Sequence, residues 1–340
     1  MTAKNKKEGA PKVLFSKPMT FRGDIELPSG FNQIFDESRT TFELSKKVGY
    51  PMCDYITQAK LFFKLLINRH KHDVIITGRF GDFFTILQAI LPFGRKPYLL
   101  LEPEWMSNHS PGLKKNISLI LHKLIARGAD KIQVICEAEA DNYSQYYEID
   151  RDKFVWIPYS TNETEQFMDV EEKDYIFCGG RNQRDWKTFY NAVKDLDVNV
   201  RIVAPHGSID EKYISENMTL LGRLPRDEYF REMASAKLVV LSLEPNIMRY
   251  PGVITYVYAM RMGKCAIVNE PIGARSYIKD GETGFIVDSN DSQVLQNKIE
   301  QLLDDHNLRS LVGKNALSYA DKHFSLESYL KQLSEIAHSF

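Results

Sequence analysis

The chain has 340 residues, with 44 Lys+Arg against 45 Asp+Glu, a net charge of -1 and 43% hydrophobic residues. That length predicts two domains, each able to bury its own core, and excludes disorder for most of the chain. The balanced charge excludes a nucleic-acid binder that works by bulk electrostatics.

The N-terminus, MTAKNKKEGAPK, is polar and lacks the apolar region of a secretory signal. Residues 1–11 are expected to form a disordered tail. No stretch approaches the roughly 20 apolar residues of a membrane span, so the expected location is cytoplasmic, free or on the inner face of a membrane. Strands are predicted at 13–16, 74–77, 98–101, 132–136 and 154–158, then at 175–179, 200–204, 238–243 and 265–269, separated by amphipathic stretches of helical length. Near-continuous apolar strands between helices imply parallel strands buried on both faces, the doubly wound α/β arrangement. The polar, acid-rich stretch IPYSTNETEQFMDVEEKD (157–174) reads as a linker, which places the domains at 1–165 and 166–340. The first carries 23 Lys+Arg and 20 Asp+Glu, a net of +3, and the second 21 and 25, a net of -4. Helices at about 291–303, 307–322 and 326–338 close the chain, Ser325 being the N-cap of the last. That last helix is a candidate to pack back on the first domain. Cys53, Cys136, Cys178 and Cys265 have no CxxC or Cys/His metal spacing, which predicts buried free thiols in a reducing compartment.

Two segments carry chemistry. In Cys178-Gly179-Gly180-Arg181-Asn182-Gln183-Arg184-Asp185-Trp186-Lys187, two glycines sit in a strand-to-helix turn with three cations. Backbone N–H groups, a helix N-terminus and Arg forks suit a diphosphate. The bland alternative is a solvated turn with Asp185 as N-cap. From Leu241 to Asp288 a polar loop after strand 238–243 leads through Pro251-Gly252 into a helix at 253–262 that stops at Gly263 before strand 265–269. Gly252 would lie at a strand's C-terminal end, where α/β sheets bind ligands, with Glu244 at the start of the loop.

Leu221-Gly222-Arg223-Leu224, Tyr258-Ala259-Met260-Arg261-Met262-Gly263-Lys264 and Asp280-Gly281-Glu282-Thr283-Gly284-Phe285 follow one another in an ordered series. This series resembles the C-terminal domain of retaining GT-B glycosyltransferases of family 4 (glycosyl transferases group 1). The resemblance implies an α/β GT-B fold of two Rossmann-like, doubly wound domains facing a central cleft. It implies a nucleotide-diphosphate-sugar as co-substrate, no other cofactor, no metal, and a glycan or lipid-linked acceptor in cell-surface polysaccharide assembly. Donor binding would fall to Gly180, Arg181, Arg184, Lys187, Gly252, Val253, Thr255 and Tyr258, with Arg184 where the family has a Lys. The family's ribose-binding Glu falls at Tyr258, and its sugar-facing Glu at Tyr250 or, with a longer loop, Glu244. A phenol holds one hydroxyl where a carboxylate clamps two. The catalytic set would be Glu244, His109 and Arg184, and Arg184→Ala is expected to abolish donor binding.

In the first domain Gly78, Arg79 and Asp82 open a helix after strand 74–77 with N–H groups able to face the cleft, and Glu102 and His109 follow the next strand. Helix 111–127 gathers Leu113, Ile117, Ile120, Leu121, Leu124 and Ile125 on one face and Lys114, Lys115, Ser118 and His122 on the other; helix 60–71 carries a Lys60, Lys64, Lys71 stripe. A basic amphipathic helix suits an anionic membrane surface. The bland expectation is that the apolar face of helix 111–127 packs on the core. Rival readings are a non-catalytic GT-B paralogue that binds a nucleotide or a partner transferase, and a two-domain binding protein of periplasmic type, against which the single linker argues. A dehydrogenase lacks its GxGxxG, and a phosphorylase its PLP lysine.

Overall fold

The computed structural model describes the chain except for residues 1–9, 18–25, 92, 104, 106–112, 162–163, 165–166, 168, 181–182, 245–250, 270–272 and 289–290. It divides into two compact units, Met1–Ile157 with Leu330–Phe340, and Pro158–Tyr329. The division falls at the start of the acid-rich stretch, between Ile157 and Pro158, and not at 165/166.

Unit 1 holds a six-stranded sheet: β1 (Val13–Lys17), β2 (Phe31–Asp36), β3 (Val74–Thr77), β4 (Tyr98–Leu100), β5 (Lys131–Val134) and β6 (Phe154–Trp156), in the order β2-β1-β3-β4-β5-β6. Every pairing is parallel. Its helices are α1 (Glu37–Val48), α2 (Met52–Asn68), α3 (Asp82–Ile90), α4 (Leu113–Gly128) and α5 (Glu137–Tyr147). Unit 2 repeats the plan with β7 (Tyr175–Gly179), β8 (Asn199–Val203), β9 (Met218–Leu220), β10 (Leu238–Leu241), β11 (Ala266–Asn269) and β12 (Phe285–Val287), ordered β12-β11-β10-β7-β8-β9, again all parallel. Its helices are α6 (Trp186–Val193), α7 (Arg226–Ala234), α8 (Val253–Arg261), α9 (Ala274–Tyr277), α10 (Ser292–Asp304) and α11 (His306–Phe324); α12 (Leu326–Ser339) closes the chain and from Leu330 belongs to unit 1.

Adjacent strand residues point to opposite faces, so Ile75 with Ile76 and Val239 with Val240, all fully buried, mean that both sheets are covered on both sides. The nine strands read as apolar runs are all present. Three were not anticipated: β2, β9 and β12. Each lies at a sheet edge, as does the anticipated β6; FNQIFD exposes Asn32 and Gln33 and offers no apolar run, and β9 and β12 are only three residues long. The stripe read from residue 60 belongs to a longer helix, α2, which starts at Met52. All four cysteines are buried and free.

Helix α4 departs from expectation in its orientation. Ile117, Ile120 and Leu121 stand exposed, while Ile125 and Ala126 are buried and His122 stacks inward, its ring 4.8 Å from Trp105 and 4.5 Å from Tyr147. The inner stripe therefore runs through 118, 122, 125 and 126, about 100° per residue, and most of the apolar face read as core points outward.

Candidate functional site

In unit 2 the chain leaves β7 toward β8 and leaves the neighbouring β10 toward β11, in opposite directions along the sheet. The loops after β7 and β10 therefore part at the sheet's switch point, the place where doubly wound sheets open a crevice for ligands. The two sequence segments singled out for chemistry are these two loops. They are laced together. Arg184 forms an antiparallel bridge with Leu243, the Asp185 N–H donates to the Ser242 carbonyl at 3.0 Å, and the Glu244 N–H to the Gln183 carbonyl at 3.1 Å. Asn269, at the end of β11 and 1% exposed, fixes the same point: its Oδ1 accepts from the Leu243 N–H and its Nδ2 donates to the Leu243 carbonyl, both at 2.6 Å.

Two helices start here, and they differ at their N-termini. The Asp185 carboxylate caps α6, accepting from the Thr188 N–H at 3.0 Å, and so satisfies one donor and offsets the positive end. Helix α8 opens at Gly252, whose φ of 80° lies in the left-handed region, and has no side-chain cap among the described residues. Its first-turn N–H groups and partial positive charge form an anion-binding end. Val253 and Thr255 are buried in that turn, and the Thr255 hydroxyl lies 3.3 Å from the Tyr229 hydroxyl of α7. The buried Ser242 Oγ has no hydrogen-bond partner among the described residues.

The expected site residues fall as follows. Lys187 and Glu244 are exposed at the two loops. Arg184 is only 7% exposed and turns inward: its Nε and one terminal nitrogen donate to the Gly179 carbonyl at 3.0 and 2.7 Å. It braces the glycine turn from below, where a Cβ on Gly180 would strike the guanidinium, and burial pulls its pKa below the ordinary arginine value. The Gly180 N–H, expected to face an anion, donates to the Val203 carbonyl at 3.0 Å. Tyr258 is 6% exposed, its ring 4.3 Å from that of Phe230, so it packs as a core aromatic between α8 and α7. His109 and Arg181 lie outside the described residues.

Unit 1 has its own switch point between β1 and β3, and the Gly78 turn lies at it. Its N–H groups are turned inward, contrary to expectation. The Gly78 N–H donates to Glu37 Oε1 at 3.0 Å, and the Gly81 N–H to the Gly78 carbonyl at 3.0 Å. The Ser16 hydroxyl donates to the same Glu37 oxygen at 2.5 Å. Burial pushes the Glu37 carboxyl up to about 8, against the pull of the Ser16 and Gly78 donors, and that of Asp82 up to about 7, against Arg79. Arg79 faces Asp54 at 3.7 Å, and Glu102 sits partly buried after β4. Glu37, Asn269, Ser242 and Tyr229 escaped the sequence reading. Asn269 had a signal, a polar residue closing the apolar run CAIVN, whereas Glu37 stood in an edge strand-helix junction with none. Among the described residues no group of three or more His, Cys, Asp or Glu could hold a metal, and no helix is long and apolar enough to cross a membrane.

Residues 205–318, inside unit 2, match the family model described as glycosyl transferases group 1. Over that segment the chain is similar to the group 1 glycosyl transferases. An uncharacterized glycosyltransferase of Methanocaldococcus jannaschii is 22% identical over 313 residues, covering 81% of this chain and 78% of that one. The capsular polysaccharide biosynthesis glycosyltransferase CapM of Staphylococcus aureus is 32% identical over 74 residues, 22% of this chain and 20% of that one. Among solved structures, Anabaena HepE in complex with UDP superposes with a TM-score of 0.64 at 17% identity, over 97% of this chain and all of that one; it has also been solved with UDP-glucose. These likenesses agree with the two parallel sheets, and the fold is GT-B.

Proposed function

We propose that this chain moves a sugar from a nucleoside-diphosphate sugar to a saccharide or lipid-linked acceptor. In this reading it is a family 4-like hexosyltransferase, acting with retention and without a metal, in cytoplasmic assembly of cell-surface polysaccharide or glycoconjugate. The observation that carries the reading is the uncapped N-terminus of α8 at the switch point of unit 2, pinned beside the glycine turn by Asn269 and Leu243. The UDP and UDP-glucose complexes of the Anabaena protein and the capsular relative support the donor class and the setting. As the bond between the anomeric carbon and the β-phosphate oxygen breaks, negative charge gathers on the departing diphosphate. The α8 N-terminus, Lys187 and Arg181 oppose it, and such preorganised charge lowers the barrier. Arg184 acts as a positioning residue that holds the Gly179-Gly180 turn. Glu244 and His109 are assigned to the sugar.

Calorimetric titration with UDP, GDP, ADP and CDP tests this. One nucleotide should saturate, Arg184→Ala should abolish its binding, and Lys187→Ala should weaken it about tenfold, the scale of one charge-assisted contact, with an unchanged melting temperature. Near-wild-type affinity in Arg184→Ala would remove that residue from the site, and binding by none of the four would overturn the donor reading. A second reading, a non-catalytic paralogue serving a partner transferase, is favoured by Tyr258 packing on Phe230 where the family has a ribose-binding Glu. Transfer or hydrolysis of any sugar nucleotide excludes it.

A further inference from the structure

Exposed large apolar side chains are distributed unevenly. Among the described residues, all but Ile254, Val294 and Leu311 lie in unit 1. Helix α2 is apolar twice over. Its inner stripe is Cys53, Thr57, Leu61 and Leu65, and Met52, Tyr55, Phe63, Leu66 and Ile67 form an outer one, with Phe63 60% and Ile67 65% exposed. Helix α3 packs against both α2 and α4 and turns Phe83 and Ile90 outward, and Phe93 follows it at 86% exposure. Helix α4 completes the surface with Ile117, Ile120 and Leu121, the face that its inward His122 leaves outside. A water-facing helix normally shows the opposite pattern, and a run of outward apolar residues this extended marks a surface that something covers.

The charge on the same helices names the cover. The only carboxylates in α2, α3 and α4 are Asp54, which faces Arg79 at 3.7 Å, and Asp82, which is buried among the residues of the Gly78 turn. Helix α4 has no acid at all and carries Lys114, Lys115 and Arg127, besides Lys123, which pairs with Glu148 at 2.5 Å. Lys60 on α2 and Lys71 just beyond it are exposed. An apolar face interleaved with cations fits the headgroup region of a bilayer that contains anionic lipid. A second copy would instead set cationic helix against cationic helix, at a cost in repulsion.

We propose that the outward face of α2, α3 and α4 docks unit 1 onto an anionic membrane surface, with the aromatic and aliphatic side chains at acyl-chain level and the lysines among the headgroups. Taken with the transfer reading above, on which this clause rests, the surface selects a lipid-linked acceptor. Docking is measured without nucleotide, so its failure and the failure of the donor site are read separately.

The test is co-sedimentation of the full chain with phosphatidylcholine vesicles, with and without phosphatidylglycerol. The wild type should bind the anionic vesicles and lose binding as salt rises. Phe63→Ser with Ile67→Ser, both at exposed positions, should lower the partition at least about tenfold. Lys60→Gln with Lys71→Gln should lower it about fivefold per lysine and flatten the salt dependence. Leu311→Ser, an exposed apolar position on unit 2, should change nothing. Failure of the wild type to bind either vesicle overturns the proposal, as does binding that survives Phe63→Ser with Ile67→Ser. A wild-type dimer that the same pair dissociates, with no vesicle binding, gives the face to a second copy and overturns it equally.

Discussion

Replacing Asn269 by alanine removes the side chain that ties the β10 loop to the end of β11. Two hydrogen bonds of 2.6 Å are lost, and the N–H and carbonyl of Leu243, itself 1% exposed, are left without their partner. An unmet buried polar group costs about 1–3 kcal/mol, so the two together cost about 2–6 kcal/mol. For a unit of this size that lowers the melting temperature by about 2–4 °C per kcal/mol. Because Leu243 also bridges Arg184, and Ser242 and Glu244 hold Asp185 and Gln183, the loss propagates to both loops of the candidate site. Nucleotide affinity should therefore fall together with stability. Asn269→Asp separates the two bonds, since its carboxylate still accepts from the Leu243 N–H but sets an oxygen against the Leu243 carbonyl. It should be at least as harmful as alanine at neutral pH and recover on acidification, when a protonated Asp regains a donor. Urea denaturation of the three proteins at two pH values, followed by nucleotide titration, measures all of this. An alanine variant within 0.5 kcal/mol of wild type, about the usual limit for a neutral surface change, would refute the reasoning.

Glu37→Gln probes the buried carboxyl of unit 1. A folded-state pKa raised from 4.5 to about 8 means that the native state holds a proton which the unfolded state has released. Wild-type stability from this group is therefore complete below about pH 4.5 and lost as pH rises toward 8. Glutamine keeps the acceptor for Ser16 and Gly78, so the variant should match wild type near pH 5 and exceed it increasingly up to pH 8, by about 4 kcal/mol at most. A pH-independent difference in denaturation midpoints would refute it; Asp82 remains in both proteins and titrates in the same direction. Gly180→Ala places a methyl group on the Arg184 guanidinium at a φ of 109°. It should cost about 1–3 kcal/mol in thermal unfolding and weaken nucleotide binding, and unchanged melting would mean that the turn tolerates a side chain.

The chain's apolar runs determined the α/β class, nine of the twelve strands among the described residues and the limits of the closing helices, because a strand buried on both faces must be apolar at every position. The glycine turn and the Gly252 loop were likewise legible as the two loops that the structure sets side by side at the switch point of unit 2, since only glycine and a polar break suit those backbone paths. Of the four edge strands only β6, inside the run FVWIP, was legible: β2 is partly exposed and carries Asn32 and Gln33, and β9 and β12 are only three residues long. Nor could local reading show that Arg184 turns under Gly180, that Tyr258 lies on Phe230, or that Asn269 reaches across to Leu243. Each depends on a partner separated by a strand or helix, and a side chain's direction is chosen by what its neighbours leave open. The same holds for α4. Its amphipathic pattern was evident from the residues alone, but which of its two faces meets the core was decided only when Trp105 and Tyr147 accepted the ring of His122 and left Ile117 and Ile120 outside.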